Sequence, residues 1–181
     1  LEAAAARVEE LRAQAAAPAA AAGPPGATAA AETIAAGYRE LCRRALRRHD
    51  PAGWRRLSHA ARERGMLVLA GWQEELLARL AARLAGRGPA VQTCSPEALA
   101  AASGVPVVVV LGERRPLAAE RVALLRRLAL DHEPLALANL LTPEVDSPLV
   151  ESFTSILRTA DHSDAMLDVV ASRLLGDDAS A

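Results

Sequence analysis

From Gly65 onward, short apolar runs alternate with stretches whose leucines recur every three or four residues. "GMLVLA" is one such run, as expected of a strand buried on both faces. "WQEELLARLAARL" follows it, and Leu76, Leu77, Leu80 and Leu84 fall on one helical stripe. "AVQTC" reads as a second strand, and "SPEALAAAS" as a helix opened by a serine cap and a proline at its first position. "VPVVVVLG" is the clearest strand in the chain. "PLAAERVALLRRLALDH" carries Leu117, Leu124, Leu125 and Leu128, with Val122 on the flank, as an amphipathic helix should. "EPLALANLL" is a fourth strand, and the loop "TPEVDSPLV" leads to a fifth between Ser152 and Thr159. The last helix places Met166, Leu167, Val170 and Leu174 on one side and stops at Gly176.

Before Gly65 the pattern is helical. Val8 and Leu11 share a stripe in the segment from Leu1 to Ala16, and "APAAAAGPPGAT" then reads as a linker. A second helix is predicted from about Ala29 to Arg48, with Ile34, Tyr38, Leu41, Cys42 and Ala45 on one face. His49-Asp50-Pro51 ends it, because the residue before a proline avoids the helical region.

Strands that alternate with helices predict parallel pairing through right-handed crossovers. The expected fold is therefore α/β, a three-layer sandwich around a mostly parallel five-stranded sheet of flavodoxin or Rossmann type, preceded by helices. Residues 1–28 form a helix and linker, 29–176 the sandwich, and 177–181 a disordered tail. The first residue is Leu, which leads us to expect a fragment whose upstream part is missing.

Composition narrows the function. The formal net charge is −1, which gives nucleic-acid binding no support. Only 2% of residues are aromatic, namely Trp54, Trp72, Tyr38 and Phe153, too few for a base-stacking platform. Every basic residue other than the histidines is Arg, and Arg43, Arg44, Arg47, Arg48, Arg55 and Arg56 cluster. In a chain this close to neutral, that cluster reads as a solvated face more readily than as an anion site. Cys42 and Cys94 lack metal-ligand spacing and read as reduced apolar residues. There is no secretory h-region and no apolar run of membrane-spanning length. The expected location is the cytoplasm, with secretion of a longer parent left open.

The devices of the common doubly wound ligands are missing. The turn after the first strand, "AGWQEE", has one glycine and two acids where a dinucleotide would need G-x-G-x-x-G. There is no P-loop and no G-x-S-x-G elbow. The third strand ends "LGERR", without a phosphorylatable aspartate. No metal or cofactor is expected. His162, Ser163 and Asp164 stand side by side, but adjacent side chains diverge and cannot form a triad. Ser163, or Asp161 before it, is instead expected to cap the last helix, with Asp164 in its first turn where the helix dipole favours an anion.

Three stretches carry a resemblance: "GWQEELLARLAARLAGRGPAVQT", "PVVVVLGERRPLAAERVALLRRLAL" and "SFTSILRTADHSDAMLDVVASRLLG". With the leading helix and linker, they resemble the C-terminal α/β sandwich domain of bacterial glycoside hydrolase family 3, in its β-N-acetylglucosaminidase-like branch. The resemblance implies an accessory domain of an enzyme that hydrolyses O-glycosyl bonds, inactive alone. Its partner would be an N-terminal catalytic barrel that bears the nucleophilic Asp and is absent from this chain, with carbohydrate as a further ligand. Where the family has a turn of the type "DGLLPL", this chain has "HDPAGWRRL". The family's loop "SPYD" is replaced by "TPEVD". No residue here takes the role of nucleophile. Glu113 and Glu144 are the carboxylates to test as a donated acid, against the commoner fate of ordinary loop carboxylates.

The alternative is a free-standing Rossmann-like module that binds a small ligand or a protein. On either reading the binding edge is expected where the strands end at their carboxyl side. That edge gathers Trp72, Glu113, Arg114, Glu144, Asp146 and His162.

Overall fold

The structure, a computed structural model, describes residues 27–45, 47–49, 51–101, 104–142, 152–153, 155–159 and 161–176. Its elements in chain order are helix α1 (Ala27–Ala45), β1 (Arg47–His49), α2 (Pro51–Arg64), β2 (Met66–Ala70), α3 (Glu74–Leu84) and β3 (Ala90–Cys94). A 3₁₀ helix (Pro96–Ala101), β4 (Val107–Leu111), α4 (Ala119–Asp131), β5 (Leu135–Asn139), β6 (Ser155–Arg158) and α5 (Asp164–Leu174) complete it.

The sheet order is β1-β6-β5-β4-β2-β3. Strands β2 to β6 pair in parallel, as the alternating pattern predicts. Their order is that of flavodoxin-like sheets, which reverse direction between the first and third parallel strands, here β2 and β4. β4 and β5 are buried at every position, whereas β3 at the edge is largely exposed. Side chains alternate between two cores. Leu67, Leu69, Val108, Val110 and Leu157 meet the leucines of α3 and the buried faces of α2 and α5. Val68, Val107, Val109, Leu137 and Ile156 meet Leu99, Phe153 and Leu125 and Leu128 of α4. Helices thus cover both faces, giving the three layers.

Four expectations need correction. The sheet has a sixth strand, β1, antiparallel to β6 with Arg48 opposite Leu157. The pattern put these residues at the end of a helix, because "RRH" has no apolar alternation and is a strand only through its partner. The segment read as a turn, "PAGWRRL", opens helix α2. Trp54, Leu57, Ser58 and Ala61 are its buried face, and Pro51 stands at its first position, where a missing N–H costs nothing. Within "SPEALAAAS", Pro96–Ala101 forms a 3₁₀ helix where the sequence predicts an α-helix. Leu99 is its one large apolar side chain, fully buried, so no stripe exists to hold a longer helix to the sheet. Finally, the predicted face of α1 splits. Cys42 is buried and Tyr38 partly so, while Ile34 and Leu41 are 51% and 60% exposed.

At Gly71 the chain leaves β2 under the β4 backbone. A Cβ there would lie 2.7 Å from the Val110 carbonyl oxygen, so only glycine fits. That approach fixes the turn which carries Trp72.

Candidate functional site

The carboxyl ends of β2 and β4, where the sheet order reverses, hold a connected polar rim. Trp72 follows β2 directly. Its ring packs in part on the core beneath α4, and its indole Nε1 donates to Glu97 Oε1 at 2.7 Å. The bond holds the Glu97 carboxyl below the usual carboxylate range. Over the ring, 4.4 Å from its centroid, lies the Arg121 guanidinium, a cation–π pair. Arg121 comes from the start of α4 and also reaches Glu113 Oε1 at 3.4 Å.

Glu113 follows β4 and is braced from three sides. Beside Arg121, its Oε2 accepts from the Gly112 N–H and from the Thr142 hydroxyl, each at 3.2 Å. Thr142 follows β5, and its carbonyl accepts from Asn139 Nδ2 at 3.0 Å. Asn139 Oδ1 is buried and has no donor among the described residues. The rim therefore runs Glu97–Trp72–Arg121–Glu113–Thr142–Asn139 across the ends of three strands. Gln73 and Leu76 fill the space beneath it, close enough to Gly112 that a Cβ there would strike both.

The expected residues are only partly brought together. Trp72 and Glu113 share this rim through Arg121. Arg114 stands exposed in the same loop as Glu113. Glu144 and Asp146 lie outside the described residues. His162 belongs to a different cluster at the start of α5, where its carbonyl accepts from Arg79 at 3.1 Å.

In that cluster Ser163 is the cap of α5, as expected. Its hydroxyl accepts from the Met166 N–H at 3.4 Å and faces the Tyr38 hydroxyl at 3.3 Å. Asp161 accepts from the Ser163 N–H at 3.0 Å and from the Tyr38 hydroxyl at 3.0 Å. Burial, together with Asp161, raises the pKa of Tyr38, only partly offset by Ser163, and also that of Cys42. Asp164 pairs with Arg79 at 2.8 Å and Arg83 at 2.5 Å of α3, which hold its carboxyl below the ordinary value. Asp, Ser and His here serve a helix start and its packing on α1 and α3.

Arg121, Glu97, Thr142 and Asn139 were not legible as site residues. Arg121 sits eight positions after Glu113, and the loop between β4 and α4 sets the start of that helix back over the rim. The two thiols are free. Among the described residues no group of three His, Cys, Asp or Glu could hold a metal. No helix among them is long and apolar enough to cross a membrane.

No protein-family model and no curated protein matches this sequence. Solved structures do match its fold. A fungal multi-domain GH3 β-N-acetylglucosaminidase aligns over 84% of this chain and 18% of its own, with a TM-score of 0.56 at 15% identity. A glycoside hydrolase family 3 β-N-acetylglucosaminidase from Paenibacillus sp. aligns over 88% of this chain and 34% of its own, with a TM-score of 0.54 at 18% identity. The sugar isomerase domain of an RpiR transcription factor from Sphaerobacter thermophilus covers 81% of this chain and 86% of its own, with a TM-score of 0.51 at 14% identity. The chain thus has the fold of regions found in these proteins and spans about a third or less of the two glycosidases.

Proposed function

We propose that the chain is an accessory α/β sandwich domain of a family 3-like glycoside hydrolase, inactive by itself, which presents its carboxyl-edge rim to a catalytic barrel. The observation that carries this reading is the likeness of nearly the whole chain to a minor part of two such enzymes. The rim's chemistry supports it. Retaining hydrolysis needs a nucleophilic carboxylate and a proton donor about 5 Å apart. Glu97 and Glu113 are instead engaged by the chain's own donors, Trp72 for the first and Gly112, Thr142 and Arg121 for the second. A rim locked in this way is suited to meeting a rigid partner, since little side-chain entropy remains to be lost on contact.

The test is association with a separately expressed barrel. Trp72→Ala and Arg114→Ala should each weaken it about tenfold, as anchors in a contact surface do. His162→Ala should weaken it less. An Arg55→Ala/Arg56→Ala double variant on the exposed side of α2 should leave it unchanged. The reverse pattern would move the interface to the helical flank.

A second reading is a free-standing binding module. It is favoured by the match to an isomerase domain of nearly the same extent as this chain. Failure to associate with any barrel, joined to thermal stabilisation by sugars, would select it.

A further inference from the structure

A concave site lies at the opposite edge of the sheet from the rim. It is a cleft of about 220 Å³ between the carboxyl end of α4 and the amino end of β5. Leu130, His132, Glu133, Leu135, Ser152 and Phe153 line it. Leu135 and Phe153 are buried and give it an apolar wall, whereas Leu130 is 85% exposed at its mouth.

Its polar groups share one character. The last carbonyls of a helix have no intrahelical donors and carry the negative end of the dipole. α2, α3 and α5 each place arginine in the last turn, at Arg62 and Arg64, Arg83 and Arg173 respectively. α4 places no basic residue there and ends on Asp131. Arg126 and Arg127 lie earlier on α4 and do not line the cleft. Glu133 adds an exposed carboxylate at the opening. His132 is only 9% exposed, and its Nδ1 is buried without a partner among the described residues. The cleft therefore combines a negative field, an unfilled buried polar group and an apolar wall, with no cation among its lining residues.

We propose that this cleft binds a small organic cation, a primary amine with a short apolar body. The ammonium N–H groups would donate toward Glu133 and the α4 carbonyls that follow Leu128, whose own oxygen already accepts from the His132 N–H at 3.0 Å, and the body would lie against Leu135 and Phe153. An anion is disfavoured by the same field. The site is separate from the rim and does not depend on the glycosidase reading.

The test titrates n-propylammonium chloride into the full chain at constant ionic strength and follows backbone amides by ¹H–¹⁵N NMR, with n-propanol in parallel. Saturating shifts are expected at Glu133, Leu135 and Phe153, with Trp72 and Arg114 unmoved. Glu133→Gln, an exposed change that leaves the fold intact, should weaken amine binding about threefold, the scale of one solvent-screened charge pair. His132→Gln should weaken it as well. Equal binding of propanol would leave only a greasy notch and overturn the proposal. So would the absence of saturation, or a Glu133→Gln variant that binds as tightly as the parent.

Discussion

Two polar clusters sit at the carboxyl edge of the same sheet and use similar residue types to different ends. The β2–β4 rim joins loops that follow three separate strands, and the α5 turn joins one short segment to the helices beside it. In the turn, Ser163 and Asp161 satisfy backbone N–H groups within a few residues of themselves. In the rim, the bonds that join separate loops span more of the chain: Trp72 to Glu97 and Thr142 to Glu113, with Arg121 reaching back from α4 to Glu113. The turn would form around almost any α5 start of this composition. The rim exists only when the sheet is assembled, and it leaves Asn139 Oδ1 buried and without a donor among the described residues. A polar residue after a strand is thus read correctly from its bonds and not from its type.

The sharpest way to break this contrast is to remove the rim's brace. Glu113→Ala should destabilise the fold by about 1–3 kcal/mol, because Thr142 and Arg121 lose their acceptor in a largely shielded setting. Urea denaturation measures it, and a neutral result would show that the rim adds nothing to the stability of the assembled sheet. Next comes the turn. Ser163→Ala should cost about 0.5–2 kcal/mol, the usual loss of a helix N-cap, and it also removes the hydroxyl that faces Tyr38. A neutral outcome in the same assay would shift the cap to Asp161.

The smallest effect is electrostatic and depends on pH. Arg79 and Arg83 hold the Asp164 pKa below its unfolded value. A depressed carboxylate contributes stability that is present above the unfolded pKa and is lost as pH falls through the lower, folded pKa. Asp164→Asn should therefore destabilise by about 1 kcal/mol or less at pH 7, since the pair is exposed and screened. The difference from the parent should shrink toward zero once the pH drops below the usual carboxylate range. A difference that stays constant from neutral to strongly acidic pH would show that the loss comes from packing and not from charge.

How far the sequence led is visible in particular elements. β4 announced itself, because "VVVV" is short, β-branched and bounded by Pro106 and Gly112, the pattern of a strand buried on both faces. α3 and α5 were legible from leucine spacing, and every residue predicted on their stripes is buried. α2 carried the same signal in Trp54, Leu57 and Ala61, but the Pro and Gly at its start masked it as a turn. The Ser163 cap was legible because capping is local: the acceptor lies three residues from its donor.

What the sequence by itself determined was the periodicity of burial, and with it the α/β class, the parallel pairing and the helix start at Ser163. Those follow from interactions between residues close in the chain or from the need to bury both faces of a strand. Only the tertiary structure decided that "RRH" is a strand, since a polar segment gains its backbone hydrogen bonds from a neighbour and not from its own pattern. It alone placed Arg121 over Trp72 and against Glu113, because the start of α4 meets the turn after β2 only once the sheet sets those strand ends side by side. It alone formed the cleft at His132, where a helix end, a strand start and Phe153 converge from separate parts of the chain.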